Sequence, residues 1–214
     1  MKKKEYVSII VTTYNSRKFV KKVFKSILNQ TYQNFEIIFV DDCSNDGTYE
    51  ILSKVKKQSK RITLLKTNKN YGTPSVSRNL GIKKAKGNLI CLLDSDDRWE
   101  KDKLELQVNA FSDKNTIYTT SANYFDSKNF KSGFFINIFR IFLQIFFINK
   151  INNKGFHWFY IYNPIITSSV LAHKSVFKRN FFDEDVSTRE DIDLWIRLRK
   201  NNLKFYLSKK ISTS

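Results

Sequence analysis

Three aspartates, Asp94, Asp96 and Asp97, fall within four positions in the stretch CLLDSDDRW, directly behind an apolar run. Carboxylates this close repel one another unless a cation or hydrogen-bond donors answer them. Hard divalent cations such as Mg2+ and Mn2+ take oxygen ligands, and Mg2+ is commonly held by one or two carboxylates together with substrate phosphates. The plainer alternative is an Asx-rich turn that caps a helix starting near Glu100. A second acidic pair, Asp41 and Asp42, opens VDDCSNDGT. An acid at such a place can accept hydrogen bonds from a ribose hydroxyl or a base N–H, whereas Ser44 to Gly47 are ordinary turn formers. Arg78, in TPSVSRNLGI, can pair bidentately with phosphate or carboxylate, or simply be solvated on its helix. Glu190 and Asp191, in REDIDLW, either favour the positive end of a helix or supply a general base for an acceptor hydroxyl.

These residues need elements to hold them. Residues 6–12, 35–40, 61–66 and 88–94 are short apolar runs that read as buried strands. Between them lie helical patterns. SRKFVKKVFKSILNQ has Phe19, Val23 and Ile27 on one face, with Phe24 a further candidate for it, and Ser16 as a cap. SNDGTYEILSKVKKQ places Tyr49, Leu52 and Val55 at helical spacing. TPSVSRNLGIKKAKG ends near Gly87, and EKDKLELQVNAF follows the fourth strand. Continuously apolar strands alternating with helices predict a parallel sheet with crossovers on both faces. In such open α/β sheets ligands bind beyond the carboxyl ends of the strands. TTYN, DDCSNDGT and DSDD all fall there, so the three polar clusters share one edge. The second half is less regular. Residues 117–125 read as a strand, 133–150 as an unusually aromatic stretch, and NPIITSSVLAHKSVF as a loop, a strand and a short helix. STREDIDLWIRLRKNN reads as a helix capped near Ser187 or Thr188, and LKFYLS as a last strand.

The totals narrow the class. The chain has 214 residues, 41% of them hydrophobic, with 19 Phe and 10 Tyr, enough to build a core and too much for disorder. There are 38 Lys plus Arg against 20 Asp plus Glu, a net charge of +18 that favours an anionic partner. Codon bias toward Lys would give the same excess. The two cysteines, Cys43 and Cys91, lie beside predicted strand ends and form no CxxC pair, so neither structural zinc nor a disulfide framework is indicated, and a reducing compartment is the simplest context. The apolar run in MKKKEYVSII breaks at TTYNSRK and is not read as a signal peptide. Neither GxGxxG nor GxxxxGK[ST] occurs, so no dinucleotide fingerprint or P-loop is present.

VSIIVTTYN, VDDCSNDGT, SRNLGI, LLDSDD and a late ED before an LW helix, in this order and spacing, resemble family 2 glycosyltransferases of the GT-A fold. The resemblance runs from about Val7 to Leu207. It is dense in the first hundred residues and sparse between Phe125 and Ser187. It implies an α/β GT-A fold with a mostly parallel central sheet flanked by helices. A single domain over 1–214 is expected, with a Rossmann-like nucleotide-sugar half at about 1–112 and an acceptor half at about 113–214. The resemblance implies that Thr12 and Tyr14 contact base and ribose, that Asp42 reads the base with Asp41 as a substitute, and that Arg78 lies near the donor. Asp94 and Asp96 would form the D-x-D pair, with Asp96 the direct ligand of Mg2+ or Mn2+, and Asp97 would face the donor sugar or acceptor. Asp191, with Glu190 beside it, would be the catalytic base. The implied reaction transfers a sugar from a nucleotide-diphosphate sugar to an acceptor hydroxyl, with inversion.

Two features depart from the family pattern. Relatives often carry a His or another ligand after the ED helix, but His157 and His173 both precede Asp191, and the sequence ends at Ser214. A shortened nucleotide-sugar-binding homologue with impaired turnover is the alternative this raises. The stretch 134–148 is shorter than the ~20 apolar residues a spanning helix needs. It reads either as an interfacial helix serving a lipid-linked acceptor in O-antigen or capsule assembly, or as a cover over the acceptor side of the core. The expected location is cytoplasmic, with peripheral attachment at the inner face of the plasma membrane on the interfacial reading. A basic nucleic-acid-binding module fits poorly, because the lysines are dispersed while the acids gather at strand ends. A nucleotidyltransferase would carry a Gly-rich loop after the first strand, and TTYNSRKF has none.

Overall fold

The computed structural model describes residues 5–122 and 130–213. Its first half alternates β1 (Val7–Thr13), α1 (Val20–Leu28), β2 (Phe35–Asp41), α2 (Thr48–Lys56), β3 (Ile62–Lys66), α3 (Pro74–Lys84), β4 (Leu89–Asp94) and α4 (Lys103–Ala110). The second half contains β5 (Thr116–Ala122), α5 (Phe130–Lys154), two 3-10 turns (Phe156–Tyr160 and Thr167–Ser169), β6 (Leu171–His173), α6 (Lys174–Arg179), α7 (Glu190–Lys200) and β7 (Lys204–Thr213). The described strands form one sheet in the order β3-β2-β1-β4-β6-β5-β7. β1 to β4 are mutually parallel, as the apolar runs predict. β6 is antiparallel to both β4 and β5, and β7 runs parallel to β5.

Side chains alternate across a strand, so each apolar strand feeds two cores. Ile10, Ile38, Val40, Ile90 and Leu92 join Trp195, Leu194 and Ile151 on one face. Val7, Ile9, Val11, Ile37, Phe39 and Leu93 join Val23, Ile27, Leu52 and Leu104 on the other. α3 packs closest. A Cβ at Gly81 would lie 2.5 Å from Ile10 Cγ2, so the bare backbone there lets the helix seat on β1 and brings Arg78, one turn earlier, to the sheet edge.

Several local expectations are corrected. Ser16 does not cap α1 with its side chain; its backbone carbonyl accepts from the Phe19 and Val20 N–H groups. Phe19 is exposed at 45%, while Val20, Val23, Phe24 and Ile27 are the buried face. Neither Ser187 nor Thr188 caps α7; the residue before that helix is Arg189, in the left-handed region at φ 58°. The acids of DSDD do not cap α4, which starts only at Lys103. Cys91 lies inside β4, fully buried, and not at its end. The strand expected over 117–125 covers 116–122, and residues 123–125 lie outside the described ones.

Candidate active site

The chain reverses direction across the sheet beside β1, running out to β3 and returning to β4, and a cavity of about 470 Å3 opens at the carboxyl ends there. Thr12, Tyr14, Asp42, Arg78, Asp94 and Asp96 all line it, six residues from four different elements or their following loops. Ser16 joins Ser95 across the floor with the two Oγ atoms 2.5 Å apart. Tyr14, half-exposed, and Phe19 offer apolar wall at the mouth.

The two acids after β2 separate into different tasks. Asp41 is fully buried and faces its own turn: Thr13 Oγ1 (3.1 Å) and Ser44 Oγ (2.6 Å) donate to its Oδ1, and Ser44 N donates to Oδ2. Asp42 lines the cavity. Its Oδ1 accepts from Thr67 Oγ1 at 3.0 Å and Ser77 Oγ at 3.4 Å, and its Oδ2 accepts from Tyr71 N at 3.0 Å. Asp42 therefore also fixes the loop after β3, a role nothing in VDDCSNDGT announces.

Arg78 is buried and doubly engaged. Nη2 donates to both oxygens of Asp94, at 2.9 and 3.1 Å, and Nη1 donates to Glu190 Oε1 at 2.6 Å. Its guanidinium stands 5.1 Å from the centre of the Phe182 ring. Burial alone would lower its pKa, but Asp94 and Glu190 together raise it, so it stays charged. Thr12 Oγ1 adds a third donor to Asp94, at 3.1 Å. One arginine thus ties the end of β4 to the start of α7, 112 residues apart in sequence from Arg78 to Glu190.

Asp191 does not line this cavity. Its Oδ2 accepts from Asn163 Nδ2 at 3.1 Å and Thr167 Oγ1 at 3.3 Å, and its Oδ1 from the Ile192 N–H at 2.8 Å. Burial raises its pKa, the Ile192 N–H opposes, Glu190 raises it further, and Arg78 and Thr167 pull it down. The 3-10 turn carrying Thr167 also carries Ser168, whose Oγ accepts from Asp94 N at 3.0 Å. The turn therefore bonds Asp94 through one residue and Asp191 through its neighbour. Asp97 is pushed up by burial and by Asp94 and Asp96, with a hydrogen bond to Ser168 opposing. Asn163, Thr167 and Ser168 are residues the sequence reading did not single out. The available signal was small polar side chains set inside the otherwise apolar NPIITSSVL.

Behind β4, Trp99 Nε1 donates to the Ser168 carbonyl at 2.7 Å. The fully buried Lys103 places Nζ 3.8 Å from the centre of the Trp99 ring and 4.0 Å from Cys91 Sγ. Burial lowers the Lys103 pKa to about 8.

Among the described residues no three His, Cys, Asp or Glu side chains converge as a ready-made metal cluster. The donors present nonetheless fit a divalent cation that arrives with phosphate oxygens. Asp94 is shared with Arg78, while Asp96 stands exposed on the cavity wall and offers a hard carboxylate.

Residues 8–178 match the family model described as Glycosyl transferase family 2. An uncharacterized glycosyltransferase of Rickettsia bellii is 34% identical over 96% of this chain, which spans 28% of that protein. The Escherichia coli UDP-Glc:alpha-D-GlcNAc-diphosphoundecaprenol beta-1,3-glucosyltransferase WfaP is 39% identical over 59% of this chain and 49% of its own length. The chain thus spans less than a third of the first relative and about half of the second. Among solved structures, Staphylococcus aureus TarS in complex with UDP superposes with a TM-score of 0.74 at 21% identity, covering 97% of this chain and 59% of TarS. The mannosyltransferase PcManGT of Pyrobaculum calidifontis, in complex with GDP-Man and Mn2+, superposes at 0.73 and 17% identity, covering 98% of this chain and 56% of that one. At these identities the structures speak for the fold, a GT-A arrangement. With the family model spanning β1 through most of α6, the chain belongs to glycosyl transferase family 2.

Proposed function

We propose that the chain transfers a sugar from a nucleoside-diphosphate sugar to a hydroxyl of a saccharide acceptor, with inversion, in the synthesis of a cell-surface polysaccharide such as O-antigen or capsule. One observation carries this reading: Arg78 joins the donor-side acid Asp94 to Glu190, and Glu190 is the neighbour of Asp191 in the first turn of α7. A diphosphate site and a candidate base are thereby held to one frame.

The residues divide the work. Thr12, Tyr14 and Asp42 form the wall for base and ribose, with Asp42 accepting a base N–H. Asp191 accepts the acceptor hydroxyl proton on its carboxylate. The freed oxygen forms a bond to the anomeric carbon from the face opposite the nucleotide, and the bond from that carbon to the diphosphate oxygen breaks. A pKa raised by burial makes Asp191 a stronger base than an exposed aspartate. Asp96 would hold Mg2+ or Mn2+, which supplies charge neutralisation for the departing diphosphate. WfaP, named for a UDP-glucose donor and a diphosphoundecaprenol-linked acceptor, favours the same substrate classes here.

The test is a panel of UDP-, GDP- and dTDP-sugars, scored for Mn2+-dependent binding and nucleotide release on wild type and Asp96→Ala. Metal-dependent binding of one donor that falls about a hundredfold in the variant supports the reading. Binding by none, or equal binding by both proteins, overturns it.

A further inference from the structure

The 25-residue helix α5 is apolar on two sides. Gln144, Phe147, Ile148 and Ile151 are buried against the body of the protein. On the other side Phe139, Phe142 and Phe146 are exposed at 61, 63 and 41%. Spacings of three and four residues place these rings on one stripe. The stripe continues onto the chain after the helix, where Tyr160 and Ile161 are 69 and 68% exposed and Trp158 meets Phe146 edge-on at 6.4 Å. A helix on a water-facing surface carries polar residues there; this one presents phenylalanine.

The charge along the segment that carries the stripe has one sign. From Asp126 to Asp183 the sequence contains eight Lys or Arg and no acidic residue between those two. Lys150 sets Nζ 5.3 Å from the Phe146 ring and 5.5 Å from the Trp158 ring, at the border of the apolar surface. Aromatic rings edged by lysine suit the boundary between lipid headgroups and acyl chains, where the rings bury and the ammonium groups meet anionic phosphates. No described helix is long and apolar enough to cross a membrane, so the fitting geometry is lateral.

We infer that the outward face of α5, with Tyr160 and Ile161, docks onto an anionic lipid bilayer. The opposite, buried side of the same helix reaches the segment next to Asp191. Gln144 Nε2 on α5 donates to the Pro164 carbonyl at 3.1 Å, and Tyr162 packs its ring 5.0 Å from Phe147. Asn163, between Tyr162 and Pro164, is the donor to Asp191. The helix that meets the lipid thus braces the segment that holds the base. Resting on the transferase reading, this docking would deliver an acceptor anchored in the same bilayer to Asp191.

The experiment is co-sedimentation of the 214-residue chain with vesicles of phosphatidylcholine alone or with about one-third phosphatidylglycerol, for wild type and Phe139→Ser/Phe142→Ser/Phe146→Ser. The three positions are exposed, so the variant keeps its fold, checked by its Tm. Wild type should partition onto the anionic vesicles at least about tenfold better than the variant, with only part of its binding lost at high salt. Wild type that stays in the supernatant, or a variant that binds equally and releases fully in salt, overturns the inference, the latter being charge-only binding of the kind any polyanion, nucleic acid included, would elicit. So does a phenylalanine-dependent dimer in sedimentation velocity, which assigns the face to a second copy. Donor binding by the same two proteins separates this inference from the proposed function: loss of donor binding in both with vesicle binding intact defeats only the latter.

Discussion

The strand ends of β1, β2 and β4 and the stretch from Asn163 to Asp191, the two parts of the proposed site, are built by opposite means. In the first region each functional side chain sits within a few residues of the element that aims it: Thr12 on β1, Asp42 one residue past β2, Asp94 the last residue of β4. In the second, Asp191 is placed by residues 24 and 28 positions away, Thr167 and Asn163, on a 3-10 turn and an irregular connection. The first region is organised by periodicity and the second by side-chain hydrogen bonds across the fold. The proposed division of chemistry follows the same line, donor binding on regular structure and proton removal on irregular structure.

Three substitutions probe that contrast. Asp191→Asn sharpens it most: transfer should fall about a thousandfold or more while donor binding stays within a few fold of wild type. Because burial raises the Asp191 pKa, its ionised form costs the fold stability above that pKa, so the Tm of the variant should not drop at pH 7. Loss of donor binding in step with turnover would break the division. Arg78→Gln should erase the contrast, since Arg78 belongs to both regions. Leaving Asp94 and Glu190 unpaired should cost about 3 kcal/mol in a denaturant titration, partly restored by adding Glu190→Gln. Arg78 also lowers the Asp191 pKa, so the acid limb of the pH–rate profile should move to higher pH in any residual activity. A fully stable Arg78→Gln would remove the clasp from the account.

The smallest effect belongs to Lys103, under the first region alone. Unfolded, this lysine holds its proton to its ordinary value of 10.5; folded, it loses it near 8. Between these values the unfolded chain binds more protons, so stability rises with pH, and below 8 the buried charge costs stability. The Trp99 ring offsets part of that cost. Lys103→Met should stabilise the protein by about 1–3 kcal/mol at pH 7, with the gain shrinking from pH 8 to 10 in thermal melts. A destabilised variant with no pH trend would show that the amine contributes more than it costs.

Much of the first region was legible in the amino-acid sequence. The four apolar runs match β1 to β4 within a residue at each end, because buried parallel strands are written as contiguous Val, Ile, Leu and Phe. The gathering of Thr12, Asp42, Arg78, Asp94 and Asp96 around one cavity follows from that topology. What could not be read was pairing. Nothing in SRNLGI distinguishes an arginine clasped by two acids from one facing solvent, and nothing in ITSS marks Thr167 and Ser168 as the bridge between Asp191 and Asp94. Helix starts were misread for a related reason. Ser16, Ser187 and Thr188 have the side chains of good caps, but Ser16 turns toward Ser95 instead, and α7 begins from the left-handed Arg189. The loop, strand and short helix read in NPIITSSVLAHKSVF are present, the strand as the three-residue β6 and the helix as α6.

That short strand has a mechanical consequence. β6 pairs with β4 at three positions and with β5 at one, Leu171 with Tyr118, so it links the two sides of the sheet. Domains that close on a ligand do so about a hinge of a few free residues or by sliding packed helices. Here a hinge between the β4 and β5 sides of the sheet would have to break strand pairing in mid-sheet. Separation of the β4 and β5 backbones is therefore opposed by strand pairing, while Asp191, on α7 outside the sheet, is held through side-chain hydrogen bonds to Asn163 and Thr167.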